Sequence, residues 1–192
     1  PSLSGTTIFF TPTNFIAQSV NGGGVVNVTS TINLVLTAKD GFNFGSLALT
    51  ERGDYRLNGT GSTVTVGGQL IAFDRADPIN TYSFDFIDPH PLTPLTTNNN
   101  SLQPWRADAA LNLSQSPFFD PAVLNVTIQN QISGTTIPAG GVGSLAFIQK
   151  KFVGAPVGAP VTLQVFAVPL PAAAWVLMAG LLPILGLVRR RR

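Results

Sequence analysis

The chain has 192 residues; only 10% are charged, and it holds 19 glycines, 15 prolines and no cysteine. Without cysteine there are no disulfides, thiol nucleophiles or thiolate metal sites. Four of its 11 basic residues are Arg189 to Arg192, so residues 1–188 carry 7 basic and 9 acidic side chains, a net of −2, which excludes a basic face for nucleic acid.

Hydrophobic periodicity of two recurs along residues 1–167, and the elements are short. Thr6 to Pro12 (TTIFFTP) opens as a strand. Gly24 to Asp40 (GVVNVTSTINLVLTAKD) holds one long strand or two, with Val26, Val28, Ile32, Leu34 and Leu36 on one face. GSLALTE (Gly45 to Glu51), DYRLNG (Asp54 to Gly59), STVTVGG (Ser62 to Gly68) and QLIAFD (Gln69 to Asp74) follow, separated by Gly, Asn and Asp. TYSFDFID, ALNLSQS, AVLNVTIQNQI, VGSLAFIQKKF and VTLQVFAV complete ten to twelve strands. Turn signals at such spacing predict an all-β fold, an antiparallel β-sandwich of Greek-key or jelly-roll-like type. No segment before residue 171 shows a helical period.

Two stretches in this body invite a functional reading. Phe73-Asp74-Arg75-Ala76-Asp77-Pro78 and Phe84-Asp85-Phe86-Ile87-Asp88-Pro89 share the pattern F-D-x-x-D-P. Asp74, Asp77, Asp85 and Asp88 are weak candidates for calcium, which takes oxygen ligands. Neither copy has the spacing of a dedicated calcium loop, and Asp-Pro commonly starts a turn; the expectation is turn chemistry and no metal. The longest irregular stretch runs from Asp88 to Trp105, with four prolines and three consecutive asparagines. A loop of that length is often functional. It offers a glycan- or calcium-binding surface as the alternative function, with His90 in the loop and Trp105 as a stacking platform for a polysaccharide.

Catalysis has little to draw on. His90 is the only histidine and Glu51 the only glutamate. There is no G-x-S-x-G elbow and no phosphate loop with a following Lys. The expectation is a non-enzymatic protein without cofactors. Five N-x-S/T sequons, at Asn27, Asn58, Asn99, Asn112 and Asn125, reflect the abundance of Asn and Thr.

The last 25 residues differ from the rest. After the strand ending at Val168, Ala172 to Val188 is a run of 17 residues with no charge. As a helix it would span about 25 Å, near the lower limit for crossing a bilayer. Trp175 near its start suits the headgroup region, and Pro183 is a kink that membrane helices tolerate. The cluster Arg189, Arg190, Arg191 and Arg192 predicts a cytoplasmic carboxyl end and a body on the outer side of the membrane, in contact with lipid through this single helix. An outside body requires an export signal; Pro1 to Gly5 shows none, so one is expected to precede this sequence.

Val168-Pro169-Leu170-Pro171-Ala172, then an apolar segment, then a basic cluster, resembles the PEP-CTERM class of carboxyl-terminal sorting signals, in its Val-Pro-Leu-Pro-Ala variant. Leu170 stands where the founding pattern has Glu. The resemblance covers about 25 of 192 residues. It implies a Gram-negative bacterium and recognition by exosortase, a membrane-embedded cysteine transpeptidase that cuts at the motif. Many carriers accompany exopolysaccharide systems. The resulting organisation is an extracytoplasmic sandwich over residues 1–167, a linker or sorting motif over 168–171, a membrane helix over 172–188 and a basic tail over 189–192. Two fates stay open. The tail is consumed and the body joins the cell surface or extracellular matrix, or the tail persists and the protein is an accessory subunit of a larger membrane assembly.

Overall fold

A period of two places alternate side chains on opposite sides of a strand, and this pattern organises the computed structural model, which describes residues 2–4, 7–79, 82–90, 94–114, 121–150 and 161–169. Among these residues the chain forms β1 (Ser2–Ser4), β2 (Thr7–Phe10), β3 (Ile16–Val20), β4 (Gly24–Thr37), β5 (Phe42–Asn58) and β6 (Thr63–Asp74). Then come β7 (Tyr82–Phe86), β8 (Asp88–His90), β9 (Gln103–Asn112), β10 (Val123–Thr136), β11 (Leu145–Lys150) and β12 (Val161–Pro169). A single 3-10 turn, Pro138–Gly140, is the one helical element among the described residues. Every named pairing is antiparallel.

The strands form two sheets in a β-sandwich-like, all-β arrangement. One has the order β4-β10-β6-β7. The other is built around β5, whose 17 residues carry β9 and then β8 on one edge. On its opposite edge β5 pairs first with β12, from Pro169↔Phe42 to Val161↔Glu51, and then with β11, from Lys150↔Gly53 to Leu145↔Asn58. So β11 and β12 lie end to end along one edge. The handover falls at Glu51 to Gly53. Beyond β12 come β2 and β1; beyond β11 comes β3.

One face of each sheet supplies a common core. In β5 the inward residues are odd-numbered: Leu47, Leu49, Tyr55 and Leu57 are buried. In β10 they are even-numbered: Leu124, Val126, Ile128 and Ile132. On β4, Val28, Ile32, Leu34 and Leu36 pack against this core as the periodicity predicts, whereas Val26 is exposed.

Three sequence expectations need correction. GSLALTE and DYRLNG are not separate strands but parts of β5, and STVTVGG and QLIAFD together form β6. Gly53 reads as a turn, yet it lies in the ladder, paired with Lys150 and Trp105, and is glycine because a Cβ would fall 1.9 Å from the Gln149 carbonyl oxygen. Gly68 keeps β6 continuous at φ +145°, a backbone state open mainly to glycine. Finally, Asp88 to Trp105 is only partly irregular. Asp88–His90 forms β8, Leu95 bridges Val64, and Gln103 onward belongs to β9. Pro89 is accommodated because β8 lies at the sheet edge. The anchor segment, from Leu170 through Ala172, Trp175 and Pro183 to Arg192, lies outside the described residues. Among the described residues no helix is long and apolar enough to cross a membrane.

Candidate functional site

The handover on β5 brings three polar side chains into the core. Glu51 continues the inward phase of Leu47 and Leu49, Lys150 that of Ala146 and Ile148, and Asn130 that of Val126 and Ile128. Their exposures are 0%, 4% and 6%. The first two come from one sheet and Asn130 from the other.

The Lys150 ammonium donates to Glu51 Oε2 at 2.5 Å and to Asn130 Oδ1 at 2.7 Å. Its nitrogen lies 5.2 Å from the centroid of the Phe15 ring. Phe15 is held there because its carbonyl accepts the Lys150 backbone N–H at 3.1 Å. The second carboxylate oxygen, Glu51 Oε1, is buried with no hydrogen-bond partner among the described residues. Beside the cluster a cavity of about 310 Å³ is lined by Phe10, Phe15, Ser30 and Ile32 together with Asn130 and Lys150.

Burial dominates the electrostatics. It pushes the Glu51 carboxyl above its ordinary value, against the opposing charge and hydrogen bond of Lys150. It pushes the Lys150 amine below its ordinary value, against the charge and hydrogen bond of Glu51. Both shifts favour the uncharged partners, an amine and a carboxylic acid. Chemically the cluster holds an amine, a carboxyl group and a carboxamide, with the amine nitrogen hydrogen-bonded to the other two.

Sequence reasoning singled out Glu51 only as the lone glutamate and passed over Lys150 and Asn130. The available signal was phase: each sits on the apolar parity of its own strand, where charged and polar residues are rarely buried without partners.

The predicted site residues do not converge. Trp105 is 3% exposed on β9, and its indole N–H donates to the Gln149 carbonyl at 3.2 Å. It is a core residue, because its ring lies on the inward face over Gly53, and it presents no stacking surface. His90 is exposed at the end of β8, opposite Arg106. Asp74 caps the turn after β6 by accepting the Ala76 N–H at 2.8 Å, and Asp77 is exposed in that turn. Asp85 accepts the Ala110 N–H at 2.9 Å. Its register beside Leu70 puts it four residues along β6 from Asp74. Asp88 pairs across from Asp108 on β9. Among the described residues, no group of three or more acidic or histidine side chains is placed to hold a metal ion.

A second polar cluster decorates the outer face of β9. Arg106 Nε donates to both Asp108 oxygens, at 3.0 and 2.8 Å, and the Thr50 hydroxyl donates to Asp108 at 2.7 Å. Partial burial raises the Asp108 carboxyl, but the hydrogen bonds from Arg106 and Thr50, together with the nearby positive charge of Arg106 and His90, outweigh it and hold the group below its usual value.

The segment resembling a sorting motif begins on the sheet. Val168 pairs with Asn43 and Pro169 with Phe42 at the end of β12; Leu170, Pro171 and Ala172 lie outside the described residues.

No family model matches the chain, and no curated protein matches it. Among solved structures, a chain of infectious bursal disease virus, Gt strain, aligns over 85% of this chain and 42% of its own length. The identity is 13% and the TM-score 0.27, which is too low to support an argument. This chain therefore spans under half the length of that one.

Proposed function

We propose that the protein is a non-catalytic structural protein of the bacterial cell envelope, with a body of Greek-key or jelly-roll-like sandwich type delivered by its carboxyl-terminal segment. The observation that carries this reading is the ordered series Val168 to Ala172, the uncharged run Ala172 to Val188, and Arg189 to Arg192. In this reading the apolar run crosses the inner membrane, the arginines stay in the cytoplasm, and exosortase cuts at the motif. The body then joins the cell surface or extracellular matrix.

The placement of β12 supports the reading. This strand pairs with β5 as far as Pro169, so a cut beyond that residue leaves the sheet whole. It also leaves almost no free linker, and the enzyme would work close to the body. Expression in the native host tests this. Wild type should appear at the surface, whereas Pro171→Ala should accumulate in the membrane. Equal distribution of the two proteins would point instead to a permanent anchor and an accessory subunit of a membrane assembly.

A further inference from the structure

We propose that the side chains of Lys150 and Asn130 join in an intramolecular amide bond that cross-links the two sheets, with Glu51 carrying the protons. The reading starts from geometry. A primary amine, a carboxamide and a carboxyl group, all buried, meet inside one core. The amine nitrogen is 2.7 Å from Asn130 Oδ1. With a C=O bond of about 1.2 Å, it is no farther than about 3.9 Å from Asn130 Cγ, and a small side-chain rotation brings it to attack distance. Effective concentration in such a fixed pair is very high.

The surroundings suit the chemistry. An ammonium is not a nucleophile; an uncharged amine is. Burial lowers the proton affinity of Lys150 and raises that of Glu51, and the two share a 2.5 Å hydrogen bond. A proton therefore passes from Lys150 Nζ to Glu51. The free amine attacks Asn130 Cγ, forming the new C–N bond. Glu51 hands its proton to Asn130 Nδ2, the C–Nδ2 bond breaks, and ammonia leaves. Glu51 then takes a second proton from the new amide nitrogen. Ammonium, carboxylate and carboxamide thus become an amide, a carboxylic acid and ammonia, with no oxidant or reductant. Ammonia departs through the cavity that both Lys150 and Asn130 line. The product also removes a difficulty, since a fully buried carboxylate with one unpartnered oxygen becomes an uncharged acid.

The bond would tie β10 to β11 across the sandwich. Such a covalent tie suits a domain exposed outside the cell without disulfides, but the inference does not rest on the sorting signal.

The test is the intact mass of the denatured full-length wild-type chain, followed by peptide mapping. The expected result is a mass about 17 Da below that of the sequence, from loss of ammonia, and a branched peptide containing both Lys150 and Asn130. Lys150→Arg should restore the full mass. Glu51→Gln should do so while keeping the wild-type circular dichroism. A full mass for wild type with Lys150 in a linear peptide would overturn the proposal. So would a loss that persists in Lys150→Arg, which would place the lost ammonia in an Asn-Gly cyclisation at Asn21 or Asn58. The wild-type result decides the question even if a variant fails to fold.

Discussion

Gly53→Ala is the substitution whose cost the structure fixes most tightly. Gly53 faces the core between Glu51 and Tyr55, where β5 leaves β12 and takes up β11. The added Cβ would lie 1.9 Å from the Gln149 carbonyl oxygen and 2.7 Å from Trp105 Nε1. The carbonyl has little freedom to retreat, since Gln149 is paired with Asp54 on one side and Ile16 on the other. Relief therefore requires β11 to separate from β5 and Trp105 to shift, breaking its 3.2 Å bond to Gln149. Overpacking of this kind costs about 1–3 kcal/mol, and a buried donor left unpaired costs about 1–3 kcal/mol more. Loss of glycine's freedom in the unfolded chain gives back about 0.4–1 kcal/mol. The net is a loss of about 1–5.6 kcal/mol, which for a domain of this size lowers Tm by roughly 2–22 °C. Thermal unfolding followed by circular dichroism measures it, and the indole emission should shift to the red as Trp105 gains water. A Tm within about 1 °C of wild type would refute the packing described around Gly53.

Other expectations follow from burial and bonding elsewhere in the fold. Ile128→Ala empties a fully buried position at the centre of β10 and should cost about 2–5 kcal/mol in denaturant unfolding. Thr136→Val keeps the shape but removes a buried hydroxyl bonded to Ser19 Oγ at 2.7 Å and to the Gly23 N–H at 3.1 Å; about 1–3 kcal/mol should be lost, and a neutral result would place the hydroxyl outside the network. Asp108 contributes to acid sensitivity. Its carboxyl is held low in the folded state, so the unfolded chain takes up a proton first; the stabilisation is present above the ordinary Asp value of about 3.9 and is lost as pH falls through the lower folded value. Its side chain is 32% exposed, which limits the effect to about 1 kcal/mol or less. Asp108→Asn should lower Tm slightly at pH 7 and not at all well below the folded value; an equal gap at both would refute the assignment.

Much of this arrangement was legible in the residues. The alternation Val28, Ile32, Leu34 and Leu36 marks β4 and its inward face, and turn residues at short spacing give an all-β fold. Glycine misled where it lies inside a ladder. Gly53 and the pair Gly67-Gly68 look like strand breaks, but Gly53 and Gly68 mark close approaches to carbonyls of neighbouring strands, while Gly67 has open space beside it. β3 was invisible because its inward residues are Ala17 and Ser19, too small and polar to produce a hydrophobic signal. The proline-rich surroundings of Trp105 suggest a surface platform, although it shares parity with Ala107, Ala109 and Leu111. The Glu51, Lys150 and Asn130 cluster was hidden differently. Each residue is in phase with the apolar face of its own strand, but only the pairing of distant strands shows that the three meet. Separations of 99 and 20 residues leave no local motif to recognise.

The most direct test of the proposed role is the intact mass of the protein recovered from its native host, measured separately in the inner-membrane and cell-surface fractions. A surface form that ends near Pro171, or carries an added group there, is the predicted result. A chain that retains Arg189 to Arg192 and stays wholly in the inner membrane would contradict it and make the tail a permanent anchor.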